Sequence, residues 1–267
     1  MGVWAWLAVP LSKAAIVKLV LAVSAATPFL RSGSSVLVVE NDTEPAMLGR
    51  SKLHGSKLSL RDSARKFAAC VSRDDIDLEK FASATKEFMS KVEAFGDFTK
   101  RGVSDARANL QRVEKASALS KIRSMRSMLM DQVRQGARMP EGGPARSTGA
   151  EALLWTRIGV RFWVETFKAH LKGRGSASLA EASKRGFQHS LARYLDRFSR
   201  TAFSVAFRAT PDWDVVRTRT QLGCRNGVCS EEQLNEELSS FVKEVEPVLD
   251  RMTQLHRAAG LEDSRTP

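Results

Sequence analysis

Charged and apolar positions alternate with helical spacing between residues 152 and 172. The charged side chains follow one another at steps of three or four residues: Arg157, Arg161, Glu165, Lys168 and Lys172. This spacing places them on one narrow stripe of an α-helix, and most of the remaining circumference is apolar. A helix that is apolar over more than half its girth must pack between other helices. The pattern therefore predicts the central helix of a helical domain.

Further segments of the chain have the same helical periodicity. They span residues 58–71, 78–95, 103–113, 117–137, 180–209 and 230–255. The first segment has Val71 on its apolar face. In the last, Ser230 and Gln233 should cap the helix, and Pro247 is expected to kink or split it. Loops rich in Gly, Pro and Ser flank the central helix. The fold class predicted from these segments is all-α.

The segment 180–209 has an apolar stripe along one side and arginines on the other. The apolar positions are Phe187, Leu191, Tyr194, Leu195, Phe198, Ala202 and Val205. Among the opposing arginines are Arg193, Arg197 and Arg200. Such a face is often only solvated, but on a basic protein it also suits peripheral docking to anionic lipid. We predict that these three arginines dock the protein on a membrane.

Three polar side chains lie at helical spacing in the segment 103–113. Asp105, Asn109 and Arg112 fall within about a sixth of a turn of one another on a helix. Ala106 and Leu110 belong to the neighbouring apolar face. Without further information, a polar trio of this kind indicates a solvated face.

Two of these segments resemble the glycolipid transfer protein family. Residues 152–162 read A-L-L-W-T-R-I-G-V-R-F, and the family's central helix has the pattern A-L-x-W-x-(K/R)-x-G-(L/V)-R-F. The polar trio resembles the family's D-x-x-x-N-x-x-K, with Arg112 in place of Lys. The two motifs occur in the family's order, and weaker similarity extends over residues 58–261.

The resemblance implies a two-layer helical sandwich with a lipid pocket between the layers. It implies non-vesicular, non-enzymatic transfer of a glycosphingolipid-type lipid between membranes. Asp105, Asn109, Arg112 and Trp155 would bind the lipid headgroup where two helices face each other. The chemistry fits a sugar, because carboxylate and amide groups pair with hydroxyls and an indole stacks on the apolar side of a pyranose. Without the family, Trp155 would be interpreted as an ordinary core residue.

Two positions depart from the family pattern. Leu195 stands where the family has a His that hydrogen-bonds the amide linkage of the lipid, and Arg197 stands where it has a membrane-inserting Trp. The missing His weakens the expectation of strict sphingolipid selectivity. Arg112 and the high net charge leave a carrier or sensor of ceramide-1-phosphate or another phosphosphingolipid as the alternative. Those relatives replace the Asn and the Trp by cations, whereas this chain keeps Asn109 and Trp155.

The N-terminal region has the pattern of a targeting segment. Residues 1–39 contain three basic and no acidic residues, and an apolar run within them ends in small residues. The predicted organisation is a signal or targeting segment (1–26), a linker (27–57) and a glycolipid transfer protein-like domain (58–264). A transit sequence or a membrane-associated tail is the alternative. A true signal would direct the chain to the secretory pathway or an organelle, where Asn41 could be glycosylated; otherwise the protein is cytoplasmic and peripheral to membranes.

The net charge indicates which class of partner the protein binds. The chain has 267 residues and a formal net charge of +12, which favours an acidic membrane surface or nucleic acid. Because no nucleic-acid recognition motif is present, the nucleic-acid-binding module is the weaker alternative, and we expect a monomer that binds lipid and membrane. The sequence has no zinc-type cysteine spacing, phosphate-binding glycine loop or nucleophile elbow, so no metal, cofactor or catalytic centre is predicted.

The cysteine pattern does not decide whether the protein resides in an oxidising or a reducing compartment. Cys224 and Cys229 bracket a turn signal, and they are either a disulfide in an oxidising compartment or a pair of reduced thiols. Cys70 is expected to be a buried thiol.

Overall fold

The computed structural model describes residues 58–173 and 177–263. The predicted targeting segment, the predicted linker and Asn41 lie outside these residues, so the domain boundaries stay predictions. No helix in the described part of the chain is both long and apolar enough to cross a membrane.

Nine α-helices provide most of the regular structure of the described residues. They are α1 (Leu60–Ala68), α2 (Leu78–Glu93), α3 (Lys100–Ser120), α4 (Met125–Arg134), α5 (Gly149–Lys172), α6 (Leu179–Ser190), α7 (Arg197–Ala206), α8 (Trp213–Thr220) and α9 (Glu231–Ala258). Short 3-10 turns span Asp97–Thr99, Ala192–Tyr194 and Phe207–Ala209. Two antiparallel ribbons pair β1 (Val71–Ser72) with β2 (Asp75–Ile76) and β3 (Cys224–Arg225) with β4 (Val228–Cys229). The prediction of an all-α fold is confirmed.

Helix α5 is the central helix, as predicted. It packs against α3, α6 and α9. Its charged stripe faces acidic residues near the C-terminus rather than open solvent. Arg157 is only 3 % exposed, and its guanidinium donates to both carboxylate oxygens of Glu262 at 2.7 Å. One turn further, Arg161 forms an ion pair with Asp250 of α9. The stripe therefore fixes α5 against the C-terminal part of the chain.

The buried apolar residues form two clusters. The larger one joins residues of α1 to α5 and α9, with Phe67, Phe88 and Phe241 in mutual ring contact. The smaller cluster lies between α5 and the segment that begins with α6. Its members are Leu154, Ile158, Phe187, Leu191, Leu195 and Phe207. Trp155 and Tyr194 pack against its edge. Helix α5 thus contributes to both clusters.

The predicted helix over residues 117–137 is wrong. Helix α3 continues to Ser120, Lys121 adopts left-handed backbone (φ 53°), and α4 begins only at Met125. Leu119, an apolar residue within this predicted amphipathic helix, is 77 % exposed. The chain breaks because the Ser124 side chain caps α4 and also donates to the Asp75 carboxylate, which gives the backbone an alternative to continuous helix.

The predicted helix over residues 180–209 is also wrong, because the chain divides it into α6, a 3-10 turn and α7. Leu195 has extended backbone (φ −119°, ψ 141°). The Asp196 carboxylate then accepts a hydrogen bond from the Ser199 N–H at 2.8 Å and caps α7. As a result the apolar stripe is not continuous: Leu195 is buried, but Phe198 is 68 % exposed.

Three smaller expectations are resolved by the structure. The first helix ends at Ala68, so Val71 lies in β1 and is exposed instead of sharing the helix face. Helix α9 is not split at Pro247; it runs continuously through it, with Val245 and Val248 held in the core. Ser230 caps α9 by accepting from the Gln233 N–H, as predicted.

The structure shows one of the two alternatives that the sequence left open for the paired cysteines. Cys224 and Cys229 form a disulfide across the β3–β4 ribbon. Cys70 is a buried free thiol, and burial raises its pKa to about 12. Its thiolate form is therefore suppressed, which makes it an inert core residue.

Candidate functional site

The polar trio of α3 is mostly buried. Asp105 is 7 % exposed and Asn109 is 3 % exposed. Arg112 is half-buried; its guanidinium donates to the Asn109 side-chain oxygen and forms an ion pair with Glu151 of α5 at 3.2 Å. The interpretation of the trio as a solvated face is therefore wrong for Asp105 and Asn109. Polar groups are buried in this way when other groups, from the protein or from a ligand, complete their hydrogen bonds.

Helix α5 presents Trp155 on the side that meets α3. A Cβ at Gly149 of α5 would lie 2.6 Å from the Cβ of Ala116 of α3. Arg112, one turn before Ala116 on α3, forms an ion pair with Glu151, which follows Gly149 on α5. These two contacts show that α3 and α5 run antiparallel. Glu151 and Trp155 are four residues apart and share a helix face. By this register Trp155 lies at the level of Asn109.

Asp105 is the most unusual group in this region. It accepts no hydrogen bond from any residue that the structure describes. Burial raises the pKa of its carboxyl to about 6, and the nearby charge of Arg101 only partly opposes this shift. A buried carboxylate without donors is unfavourable unless a ligand supplies them. The hydroxyl or amide groups of a bound molecule would serve this purpose.

Trp155 lies on a partly exposed face of α5. Trp155 is partly exposed and meets the Tyr194 ring edge-on, with 5.8 Å between ring centroids. One turn further, a Cβ at Gly159 would meet no atom of residues 58–173 and 177–263 within 4 Å, so the packing of these residues does not require a glycine there. Glycine inside a helix costs roughly 1 kcal/mol relative to alanine. A partly exposed indole can stack against a planar or ring-shaped group.

Leu195, which replaces the family's His, contributes no polar group to this region. Its side chain is 5 % exposed and belongs to the smaller apolar cluster. The adjacent Tyr194 is committed to the protein, because its hydroxyl lies 3.4 Å from Glu262 and accepts from Arg193. Burial raises the pKa of Tyr194. The amide-binding function of the family's His therefore has no equivalent on this segment.

Glu151 was missed by sequence reasoning. It occupies the first turn of α5, where the Thr148 side chain accepts from its N–H and its own carboxylate accepts from the Ser147 N–H at 2.7 Å. An acidic residue three positions after Thr is explained by helix capping alone. Its second contact, with Arg112, depends on the packing of α3 against α5. The pair reduces the positive charge that Arg112 can offer to a ligand.

The three predicted docking arginines are all exposed but do not share one helix. Arg197 and Arg200 lie on α7, next to the exposed ring of Phe198. Arg193 lies on the 3-10 turn before it, with its guanidinium 4.6 Å from the centre of the Tyr194 ring. Ser199 is the only buried residue of α7. The helix therefore presents arginines and an aromatic ring together.

The described residues contain no group of three or more His, Cys, Asp or Glu side chains that could hold a metal ion. What they bring together at α3 and α5 is a buried carboxylate, an amide, a neutralised guanidinium and an indole. That set can bind a polar, uncharged headgroup by hydrogen bonding and stacking.

Comparison with known proteins agrees with the sequence resemblance. The family model described as glycolipid transfer protein (GLTP) matches residues 76–220, which is more than half of the chain. Comparison with curated protein sequences gave no match.

Several solved structures share the fold. Human ceramide-1-phosphate transfer protein in complex with 12:0 ceramide-1-phosphate is 17 % identical, with a TM-score of 0.68 over 78 % of this chain and 99 % of that one. FAPP2, described as selecting simple glycosphingolipids with the GLTP fold, is 17 % identical, with a TM-score of 0.64 over 79 % and 100 %. The fungal glycolipid transfer protein HET-C2 is 16 % identical, with a TM-score of 0.56 over 76 % and 95 %. The similarity confirms the predicted two-layer fold.

Proposed function

Because the chain belongs to the glycolipid transfer protein family, we propose that it carries a glycosphingolipid-type lipid between membranes without catalysing a reaction. The lipid leaves one bilayer, is held by the protein during transit and enters another bilayer. Its headgroup binds between α3 and α5, and its chains bind among the apolar side chains below. The observation that carries this proposal is the buried, donor-free carboxylate of Asp105 beside Asn109 and at the level of Trp155.

Each side chain has a distinct part in headgroup binding. The Asp105 carboxylate accepts from sugar hydroxyls or from the amide N–H of the lipid, and Asn109 donates through its free amide hydrogens. The Trp155 indole stacks on the apolar face of the sugar ring. Arg112 orients Asn109 through their hydrogen bond and contributes little net charge, because Glu151 neutralises it.

The electrostatics of the site favour a sugar over a phosphate. A phosphate needs cations that are free to make charge-assisted hydrogen bonds. Arg112 is already paired with Glu151, and Asp105 adds a second carboxylate close by. Arg101 lies near Asp105, so a phosphate at this place would meet two guanidiniums and two carboxylates and no net positive charge. The ceramide-1-phosphate alternative is supported by the net charge of +12 and by the ligand of the human structural relative.

The acyl chains would enter the smaller apolar cluster beneath Trp155. This cluster is separate from the larger cluster and includes Leu191 and Leu195, which lie between α6 and α7. Parting side chains there leaves the larger cluster intact. Each buried methylene stabilises the complex by about 0.8 kcal/mol, so the chains supply most of the affinity and the polar groups supply selection.

Membrane contact would be made by α7 and its neighbouring arginines. The exposed ring of Phe198 can insert between lipid headgroups, while Arg193, Arg197 and Arg200 attract anionic lipid. The contact is peripheral, and a monomer suffices for it. This surface and Leu195 both lie between the end of α6 and the end of α7, so docking and access to the apolar cluster involve the same part of the fold.

Native mass spectrometry after exposure to mixed vesicles tests the proposal. The purified protein is incubated with vesicles that contain a glycosylceramide, a ceramide phosphate and a diacyl glycolipid. We expect a one-to-one complex with the glycosylceramide. Retention of the ceramide phosphate would favour the alternative ligand, and recovery of the protein without any lipid would contradict a transfer function.

A further inference from the structure

A second polar cleft lies on another side of α5. It has a volume of about 470 Å³ and is bounded by α5, the end of α6 with its following turn, and the last turns of α9. Four arginines line it, against two carboxylates: Arg157, Arg161, Arg193 and Arg257, with Glu165 and Asp250. A volume of this size accommodates a small ligand. A cleft lined mainly by one sign of charge concentrates ions of the opposite sign.

The arginines of this cleft divide into two kinds. Arg157 is bound to both carboxylate oxygens of Glu262, and Arg161 pairs with acidic residues of α9. Arg193 and Arg257, by contrast, form no ion pair with any carboxylate in residues 58–173 and 177–263. Within the described part of the chain, the Arg193 guanidinium donates to the Tyr194 hydroxyl and lies 4.6 Å from the centre of that ring. These two guanidiniums keep their charge available for a ligand.

The cleft is distinct from the headgroup site. At about 100° per residue, its α5 residues lie roughly 60–160° round the helix axis from Trp155. Tyr194 stands between the two regions: its ring contacts Trp155, and its hydroxyl accepts from Arg193 within the cleft. The smaller apolar cluster also contains Ile158, whose side chain forms part of the cleft wall. The headgroup chemistry therefore does not account for these arginines.

We propose that this cleft binds a phosphate-bearing anion through Arg193 and Arg257, while Arg157 and Arg161, already paired with carboxylates, form the floor of the cleft. The anion is a phosphorylated polyol, either free in solution or as the headgroup of a phosphorylated lipid, because Thr253 and Gln254 also line the cleft and can bond to hydroxyl groups. Arginine suits this role because its planar fork donates two parallel hydrogen bonds to phosphate oxygens. Neutral sugars gain nothing comparable from two unpaired guanidiniums.

Binding of two defined probes by the full chain tests the proposal. The soluble probe is inositol trisphosphate, followed by titration calorimetry. The membrane probe is a phosphatidylcholine vesicle that contains phosphatidylinositol bisphosphate, followed by cosedimentation. We expect saturable binding of at least one probe and a loss of about tenfold or more in the R193Q/R257Q variant, because both charge-assisted contacts are removed. Binding of the soluble probe indicates a free solute, and binding of the vesicle alone indicates a lipid headgroup.

The matched control is R65Q/R185Q, which removes the same charge from exposed positions outside the cleft. This control should bind the responding probe within about twofold of the wild type. Equal losses in the two variants would mean that only net charge attracts the probe and would overturn the cleft assignment. The absence of saturable binding of either probe by the wild type would overturn it as well. Thermal melting of both variants establishes that they are folded.

Discussion

Asp105 combines a proposed role in headgroup binding with an unfavourable effect on folding. Its pKa is raised to about 6 because burial disfavours the charged form, and no donor in the described residues compensates for it. The native state therefore binds the proton more tightly than the unfolded chain does. Stability should fall as pH rises from about 4 to about 6 and should stay lower above that range. Such a group persists where a ligand requires it.

Replacement of Asp105 by Asn should stabilise the protein at neutral pH. The neutral amide removes the burial of an ionised group, and we expect the free energy of unfolding to rise by on the order of 1–3 kcal/mol at about pH 7. Urea denaturation of wild type and variant at about pH 4 and about pH 7 measures this difference. The gain should disappear at the lower pH. A variant that keeps the wild-type dependence on pH would show that Asp105 is not the buried titrating group.

At the scale of helices, α3 and α5 are joined across the site by the Arg112–Glu151 ion pair. We expect Glu151→Gln to release Arg112 from its partner while Gln still accepts the hydrogen bond from the Ser147 N–H. Uptake of ceramide phosphate relative to glycosylceramide should then rise by about three- to tenfold, which corresponds to the roughly 1 kcal/mol of a partly exposed pair. Competition between the two lipids in mixed vesicles measures the ratio.

The control for this change is Glu114→Gln. Glu114 lies on α3, and the substitution breaks its exposed ion pair with Lys86 of α2, which does not involve α5. It should leave the lipid ratio unchanged. An equal shift in both variants would attribute the effect to net charge and not to the site.

Helix α7 is expected to dock on membranes through Phe198. Because this ring is 68 % exposed, Phe198→Ser should leave folding stability within about 0.5 kcal/mol of the wild type. Vesicle binding should weaken by about tenfold or more, since the inserted ring would bury apolar surface worth roughly 1.5–3 kcal/mol. Cosedimentation with anionic vesicles gives the comparison. Leu119→Ser removes another exposed apolar side chain outside α7, and a loss of binding as large as that of Phe198→Ser would contradict docking by this helix.

Helical periodicity predicted the fold class and the central position of α5, because both follow from where the apolar residues lie along the chain. It did not predict the breaks before α4 and α7. At both places a short polar side chain, Ser124 or Asp196, caps a new helix, and this competition depends on contacts that periodicity does not contain. Glu151 was missed for a similar reason. Helix capping already explains an acidic residue at this position, so nothing in the sequence indicated its contact with Arg112.

For the whole molecule, the family model and the solved structures show the family and the fold, and the ligand is our proposal. The motifs at Asp105, Asn109 and Trp155 fall within the region that matches the family. Burial of Asp105 and Asn109 could not be deduced from their spacing alone, which fits a solvated face equally well. The substitution at Leu195 was visible in the sequence, but its burial in an apolar cluster emerged only from the structure.

The central claim is that Asp105 and Trp155 hold the headgroup of a transported glycolipid. Transfer of a fluorescent glycosylceramide from donor to acceptor vesicles tests it most directly, with the wild type, Asp105→Val and Trp155→Ala compared at equal concentration. We predict transfer by the wild type and losses of at least about tenfold in each variant, because each removes a distinct headgroup contact. Circular dichroism should show unchanged helix content. Wild-type rates in both folded variants would contradict the claim.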